Sequence, residues 1–398
     1  MTDRRLRYPF RRDTALGVPE EIRDLRSEPV VPVTLPSGDP AVLVTRYADV
    51  RSVLTDPRLS RNLARPGAPR MTAGNPMFQD PEIDPDPPEH TRVRRLLAKA
   101  FTATRVETMR PHVREVAEEL LAVMAERTPP VDLNEAFAFP LTMRVVCDLL
   151  GVPLADQELF RAWTDRFFSV GRFGREEIGR AFGEMNQYMR ELIAAKRREP
   201  ADDLVSAMVA VHDHDDGRLN DYELHWWCRL LLLVGYETTA TQLGGSVAML
   251  LTESDQLALL RNDLGVVPDA VEELLRWKLV GGSSLSMLRY ATADLEVGGV
   301  TISAGTGVIP IVESANRDET VFSCPETFDV TRTDNPHITF SIGPHFCLGA
   351  ALARVELQVA LELLLSRFPT LRLAVPADEL RRHDGALLEG FVSVPVEW

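Results

Sequence analysis

The chain has 398 residues, and 45% of them are hydrophobic, so it can bury a large core and is not expected to be mainly disordered. It carries 44 basic and 59 acidic residues, and the formal net charge of -15 argues against nucleic acid or an anionic membrane as a partner. Its four scattered cysteines do not form a disulfide framework, and they predict a reducing, cytoplasmic location.

The first predicted elements are a β-hairpin and a long loop. Residues 29–49 mix β-branched residues with a Pro-Ser-Gly-Asp turn, which is typical of a hairpin. Residues 62–88 are rich in Pro and also contain Gly and Asn, so we expect a loop there. Long loops in compact domains are usually functional or mobile.

A helical part begins at Glu89 and continues for about 200 residues, with apolar residues recurring at intervals of three and four. Residues 221–251 form its longest and most apolar segment, which predicts a helix through the middle of the core. The strongest apolar run, from Leu230 to Tyr236, has seven residues, whereas a bilayer-spanning helix needs roughly 20. No membrane span is therefore predicted.

The pattern changes after Leu279. Residues 288–312 alternate between apolar and polar and turn at glycines, which predicts short strands. Apolar residues then recur at helical spacing from Leu348 to Leu363, in a helix that ends before Pro369, and the tail reads as strands. The fold is predicted to be mainly α with a minor β part, in a single domain that spans residues 1–398.

Cys347 lies between a glycine-broken loop and an apolar helix, and four explanations compete for it. A lone cysteine is ordinarily a core residue. A catalytic thiol needs a nearby general base, for which His345 is the candidate. A zinc site needs about four ligands, and only His345 lies close in sequence. A haem thiolate is the fourth possibility, because the flanking glycines would let a large group approach.

The segment FSIGPHFCLG, residues 340–349, resembles the haem-binding signature of the cytochrome P450 family, Phe-Gly-x-Gly-x-His-x-Cys-x-Gly. The segment departs from the signature at one position, where Ser341 replaces the usual Gly. We therefore expect Ser341 to have either an ordinary backbone conformation or a strained one. The resemblance covers nearly the whole chain. It implies the cytochrome P450 fold, with haem b between a long distal helix and a proximal cysteine loop. Cys347 would ligate the iron, and Phe340 and Gly349 would belong to the haem site.

Glu273 and Arg276 match the Glu-x-x-Arg pair of the family, which lies on one helix face and holds the loop beneath the haem. The family's usual third partner is an Arg in a Pro-Glu-Arg-Phe segment, but Thr327 stands there. We expect Asn316 or Arg317 to replace it.

By the same resemblance, the two haem propionates are bound by His90, Arg94, Arg289 and His345. Buried carboxylates require cations and hydrogen-bond donors. Each of these residues alone could be a solvated side chain, but all four together at family spacing favour the haem site.

Residues 230–242, LLLLVGYETTATQ, resemble the distal helix of the family. Glu237 and Thr238 would be the catalytic acid–alcohol pair that supplies protons for dioxygen activation. The alternative is a solvated Glu237 and a Thr238 hydroxyl bonded to the preceding turn. Gly235 is expected to permit a local bulge. Val234 stands where the family keeps Ala or Gly, and it is expected to narrow the space above the iron.

The resemblance also implies a substrate pocket, lined by the loop 62–83 and by mainly apolar side chains. These are Leu230, Leu233, Val234, Leu285, Met287, Leu388 and Phe391. A sizeable apolar or aromatic molecule would fit such a pocket better than a charged one.

The implied function is a haem-thiolate monooxygenase that uses O2 to oxidise a mainly apolar small molecule in secondary metabolism. A ferredoxin and a ferredoxin reductase would supply electrons, with Arg92, Arg95 and Lys99 as the expected basic docking patch. One alternative is an oxidase that couples aryl groups or carbon atoms without inserting oxygen. Another is a non-enzymatic haem-thiolate sensor, which would have no use for the acid–alcohol pair.

Overall fold

The computed structural model describes residues 6–12, 14–73, 75, 85–214, 219–277 and 284–398 of the chain. Helices dominate these residues and the strands are short, which confirms the predicted mainly α fold with a minor β part. The helices are α1 (Glu20–Asp24), α2 (Tyr47–Thr55), α3 (Glu89–Leu97), α4 (Ala103–Ala125), α5 (Phe139–Leu150), α6 (Gln157–Phe167), α7 (Arg175–Arg198), α8 (Leu204–Asp213), α9 (Asp221–Thr252), α10 (Ser254–Asn262), α11 (Val267–Trp277), α12 (Val312–Ala315) and α13 (Ala350–Arg367).

The strands form three small sheets. They are β1 (Leu6–Arg7), β2 (Val30–Thr34), β3 (Pro40–Val44), β4 (Leu59–Ser60), β5 (Val131–Asp132), β6 (Arg289–Ala291), β7 (Leu295–Val297), β8 (Val300–Ile302), β9 (Gly307–Pro310), β10 (Arg372–Leu373) and β11 (Pro395–Glu397). The sheets have the strand orders β1-β2-β3-β9-β6-β4, β10-β11-β5 and β7-β8.

The predicted hairpin is confirmed, because β2 and β3 pair antiparallel with Val30 opposite Val44. Its sheet is not confined to the N-terminal part, since β9 adds in parallel to β3 and β6 pairs with both β9 and β4. This topology brings the segment after the 3₁₀ turn Leu285–Met287 against the segment that follows β4.

The helix α9 runs through the core, as the apolar segment predicted. A capping box between Asn220 and Glu223 begins it. Its first half packs in a cluster with α5 to α8, represented by Leu232, and its second half packs with α4, α11 and α13, represented by Leu243. No helix in the described part of the chain is long and apolar enough to cross a membrane.

The bulge expected at Gly235 is wrong for this structure, because α9 continues as an α-helix through that residue. A Cβ atom on Gly235 would lie 3.1 and 3.2 Å from the two methyl carbons of Val146 on α5. The glycine therefore allows α5 and α9 to approach closely, which is a packing role.

Candidate active site

The cysteine loop, residues 338–349, is tied into one shape by main-chain hydrogen bonds. The N–H of Cys347 donates to the carbonyl of Phe340 at 2.8 Å. Gly343 has a φ of +71°, and a Cβ atom there would lie 3.0 Å from the methyl carbon of Thr55 and 3.3 Å from the carbonyl of Leu54. Only glycine combines that backbone conformation with that close approach to the end of α2.

Ser341 takes the strained of the two conformations that its position allowed. Its φ is +62°, in the left-handed region that a side chain other than glycine rarely enters. The residue is buried, and its N–H donates to the carbonyl of Ile338 at 2.9 Å. The family's glycine position therefore keeps the glycine-like backbone even though the side chain is a serine.

Cys347 as a residue is exposed, although protein atoms surround its thiol densely. Burial raises the pKa of Cys347, while the N–H of Gly349 and the charges of Arg94 and Arg354 act in the opposite direction. These three groups stabilise a thiolate. A Cβ atom on Gly349 would meet no atom within 4 Å, so a broad, flat group has room beside the sulfur. The loop therefore fits a haem-thiolate.

The four residues expected at the propionates, His90, Arg94, Arg289 and His345, lie close to one another. Arg61 lies in the same group. The rings of His90 and His345 have centroids 4.2 Å apart. The pKa of His345 lies far below its usual value, lowered first by burial and then by the charges of Arg61, His90, Arg289 and Arg94. Two buried carboxylates need several cations and hydrogen-bond donors close together, and these basic residues supply them. The donor set therefore fits the two propionates of haem.

Sequence reasoning missed Arg61, because no motif surrounds it. It follows β4, and the pairing of β4 with β6 sets Ser60 opposite Tyr290, next to Arg289. Arg289 is 1% exposed and donates to the carbonyl of Met287 at 2.7 Å. Only strand pairing across more than 200 residues of chain brings Arg61 to this site.

Glu237 and Thr238 lie on α9 in partly buried positions. Burial first, and the charge of Asp165 second, raise the pKa of Glu237 to about 7 against the opposing charge of Arg161. The Thr238 hydroxyl donates to the carbonyl of Val234 at 3.0 Å, which is the bond to the preceding turn that one alternative foresaw. A hydroxyl that donates in this way keeps its lone pairs for another donor.

The predicted pocket residues divide into two groups. Four are partly buried: Leu230, Val234, Met287 and Leu388. Three are fully packed in core clusters: Leu233, Leu285 and Phe391. The loop 62–83 lies partly outside the described residues, since 74 and 76–84 are not among them.

The pair Glu273–Arg276 is fully buried, with the Arg276 Nε atom 2.7 Å from a Glu273 carboxylate oxygen. Its third partner is Arg332, whose Nε lies 3.2 Å from Glu273. The prediction that Arg317 replaces the family's third partner is wrong. Its guanidinium donates instead to the carbonyls of Glu313 and Trp277.

Asn316 contacts Arg276, but it does not supply the positive charge that the family's arginine would bring to the Glu273–Arg276 pair. Its carbonyl accepts from Arg276 at 3.0 Å, and its amide donates to the Thr339 hydroxyl at 2.8 Å. Thr327 contributes only its carbonyl to Arg276, at 3.2 Å. Asn316 therefore connects α11 to the start of the cysteine loop.

The expected docking patch on α3 is smaller than the sequence indicated. Arg92 forms an ion pair with Glu223 in the capping box of α9, which fixes the two helices together. Arg95 and Lys99 are exposed. Lys99 does not lie on the helix as expected, because α3 ends at Leu97. The exposed part of the expected patch therefore consists of Arg95 on α3 and Lys99 in the turn that follows it.

Comparison with known proteins agrees with this geometry. The sequence pattern of the family described as Cytochrome P450 matches residues 260–388. The chain is 44% identical to nocardicin C N-oxygenase of Nocardia uniformis subsp. tsuyamanensis and 44% identical to mycinamicin IV hydroxylase/epoxidase of Micromonospora griseorubida, each over 98% of both chains. The crystal structure of SgvP, involved in the tailoring step of griseoviridin, aligns with a TM-score of 0.94 at 44% identity, covering 99% of this chain and 100% of that one.

The chain belongs to the cytochrome P450 family. It is a haem-thiolate monooxygenase of secondary metabolism that uses O2 to oxidise a mainly apolar small molecule. Relatives named as an oxygenase and a hydroxylase/epoxidase lend no support to a coupling oxidase or to a haem sensor.

Proposed function

We propose that this monooxygenase receives electrons from a ferredoxin and protons through Glu237 and Thr238. The supporting observation is the pKa of Glu237, which burial raises to about 7. A group with a pKa near the working pH both accepts and releases protons readily. Haem bound through a cysteine thiolate supplies the centre at which O2 is reduced, because the thiolate favours O–O cleavage.

The residues around Glu237 support a proton path from outside α9. Arg161 lies close enough to influence the charge of Glu237, and a carboxylate oxygen of Glu135 holds that guanidinium at 2.7 Å. Asp165 is a second carboxylate next to Glu237. Glu237 would take a proton from this side and release it to water in the path. The Thr238 hydroxyl, which remains bonded to the carbonyl of Val234, would accept a hydrogen bond from that water and so orient it.

Cys347 would hold the haem iron, and Arg61, His90, Arg94, Arg289 and His345 would hold the propionates. Support for this assignment comes from the N–H of Gly349 and the cations around the thiol, which favour a thiolate. Cys347→Ser is expected to lose the red-shifted Soret band of the reduced carbon monoxide complex, because a hydroxyl donates much less charge to iron than a thiolate. A variant that keeps that band would contradict the assignment.

The substrate would lie against the partly buried side chains Leu230, Val234, Met287 and Leu388, which are apolar. Electrons would enter on the cysteine side of the molecule, near the exposed Arg95 and Lys99 and beside Phe346, which is 44% exposed. We propose that residues 1–398 form one domain in which these parts are held together. A ferredoxin reductase would reduce the ferredoxin.

The deciding experiment uses ferredoxin, its reductase and ¹⁸O₂ with a substrate found by spectral shift. We expect one ¹⁸O atom in the product, measured by mass spectrometry. Thr238→Ala is expected to bind substrate normally and to release more hydrogen peroxide per electron pair, because the hydroxyl that orients the proton path is missing. A product without ¹⁸O would contradict oxygen insertion, and unchanged peroxide release would contradict the role of Thr238.

A further inference from the structure

A cavity of about 340 Å³, lined by both charged and apolar side chains, lies between the N-terminal segment and the region around α12. Its lining includes none of the residues assigned to the haem or to the substrate. The charged and aromatic lining residues are Glu20, Arg23, Arg26, Trp277, Glu313, Arg317 and Glu326.

Three arginines on the cavity wall share the carboxylate of Glu326. One of its oxygens lies 3.4 Å from Arg26 and 3.7 Å from Arg23, and the other lies 3.8 Å from Arg317. Charge-assisted hydrogen bonds between such groups are usually about 2.7–2.9 Å long. Glu326 is half-exposed, and Arg26 also lies 3.8 Å from Glu319. These long ion pairs neutralise the three guanidinium groups only loosely.

Two buried donors at the cavity have no hydrogen-bond acceptor among the described residues. They are Nε of Arg317 and the indole N–H of Trp277. The Arg317 side chain is 3% exposed, and its guanidinium lies 4.4 Å above the Trp277 ring. Burial lowers the pKa of Arg317 to about 9, which leaves the group charged at neutral pH. Buried donors of this kind normally have partners, so these two N–H groups are open to an acceptor from a bound molecule.

We propose that this cavity binds a phosphate-type oxyanion, held by Arg26, Arg317 and the indole N–H of Trp277. The three donors come from the turn Leu25–Ser27, the end of α11 and the segment after α12, and thus approach from different elements. A tetrahedral oxyanion accepts from several directions, and arginine suits phosphate well. The volume leaves room for a small group attached to the phosphate.

Such an anion would compete with a carboxylate in the support of the cysteine loop. Glu326 lies between Pro325 and Thr327, whose carbonyls accept from Arg276 at 2.7 and 3.2 Å. An anion that binds Arg26 and Arg317 in place of Glu326 would therefore act on the segment that holds Arg276. This site lies apart from Glu237 and Thr238, so either proposal can fail without the other.

The test is calorimetric titration of the haem-loaded protein with inorganic phosphate in a buffer without other oxyanions. We expect a Kd of about 1 mM or tighter. Trp277→Phe keeps the ring but loses the N–H, and it should weaken binding about fivefold, the value of one hydrogen bond. Glu326→Gln should tighten binding about tenfold, because it removes the competing negative charge.

A matched pair of exposed arginines separates the site from general surface charge. Arg23→Gln, at a side chain 66% exposed, should weaken phosphate binding. Arg372→Gln, at a side chain 62% exposed that pairs with Glu397 at 3.0 Å on β10, should not. The proposal is overturned if phosphate does not bind, if Glu326→Gln weakens binding, or if Arg23→Gln and Arg372→Gln have equal effects. A larger response to acetate than to phosphate would also overturn it.

Discussion

The guanidinium of Arg332 lies 3.2 Å from the carboxylate of Glu273, and this contact completes a buried charge cluster with Arg276. Glu273 also accepts from the amide of Asn335 at 3.1 Å and from the N–H of Asp329 at 3.0 Å. A buried carboxylate is tolerated only when such partners compensate its charge. The cluster therefore joins α11 to the segment that leads into the cysteine loop.

Arg332→Gln should lower the free energy of unfolding by about 1–3 kcal/mol, because it removes a cation that compensates the buried carboxylate of Glu273. Chemical denaturation of the haem-loaded protein measures it. Thr327→Ala is the control, because Thr327 contributes only its main-chain carbonyl. Equal stabilities for Arg332→Gln and the unmodified protein would show that Arg332 adds nothing to the cluster.

Ser341→Gly should stabilise the protein. A residue with a side chain in the left-handed region costs about 1–2 kcal/mol, whereas the greater flexibility of an unfolded glycine costs roughly 0.5–1 kcal/mol. The balance predicts a gain of about 0.5–1 kcal/mol in the free energy of unfolding. Ser341→Ala keeps the φ of +62° and should show no such gain. A loss of stability in the glycine variant would mean that the Ser341 side chain contributes more than the strain costs.

Glu237 should make stability depend on pH. Its pKa is about 7 in the folded protein, above the ordinary value of 4.5, so the folded state holds this proton more tightly than the unfolded state. The free energy of unfolding should therefore fall as pH rises from about 4.5 to 7, by at most about 3 kcal/mol. Glu237→Gln should lack this component in denaturation curves recorded at several pH values. Parallel pH profiles for the two proteins would contradict the raised pKa.

Reversal of Arg95 and Lys99 to Glu should slow reduction by ferredoxin and weaken the dependence of that rate on salt. Both residues are exposed; Arg95 lies on α3, the helix that also carries His90 and Arg94, and Lys99 lies two residues beyond its end. Complementary charge raises the rate of encounter between protein partners. Stopped-flow reduction over a range of ionic strengths measures the effect. Arg180 and Arg198, exposed on α7, provide a matched double reversal, and an equal effect there would point to overall charge instead of docking.

Val234→Ala should change the distribution of products while the haem spectrum stays intact. The branched side chain is stiff in a helix and is partly buried next to Gly235 and Glu237. Its removal would enlarge the space available to the substrate by two methyl groups. Product analysis by mass spectrometry measures this. The same products in the same ratio, with only a stability loss of roughly 1–3 kcal/mol, would show that Val234 is a packing residue.

The sequence by itself determined the order of helices and strands, the haem signature around Cys347 and the family, because these depend on spacing along a short stretch of chain. It could not determine that Arg332 completes the Glu273–Arg276 cluster, or that Arg61 joins the basic group at the haem site.

Those contacts were decided by the tertiary structure alone, because each depends on where a distant segment folds back. The pairing of β4 with β6 places Arg61 beside Arg289, and the ion pair with Glu223 on α9 removes Arg92 from the docking patch. The same holds for Ser341, whose φ of +62° is imposed by the hydrogen bonds of the cysteine loop and not by its own preference. Local sequence carries local conformation, whereas charge pairing and strain arise from contacts that only the folded chain creates.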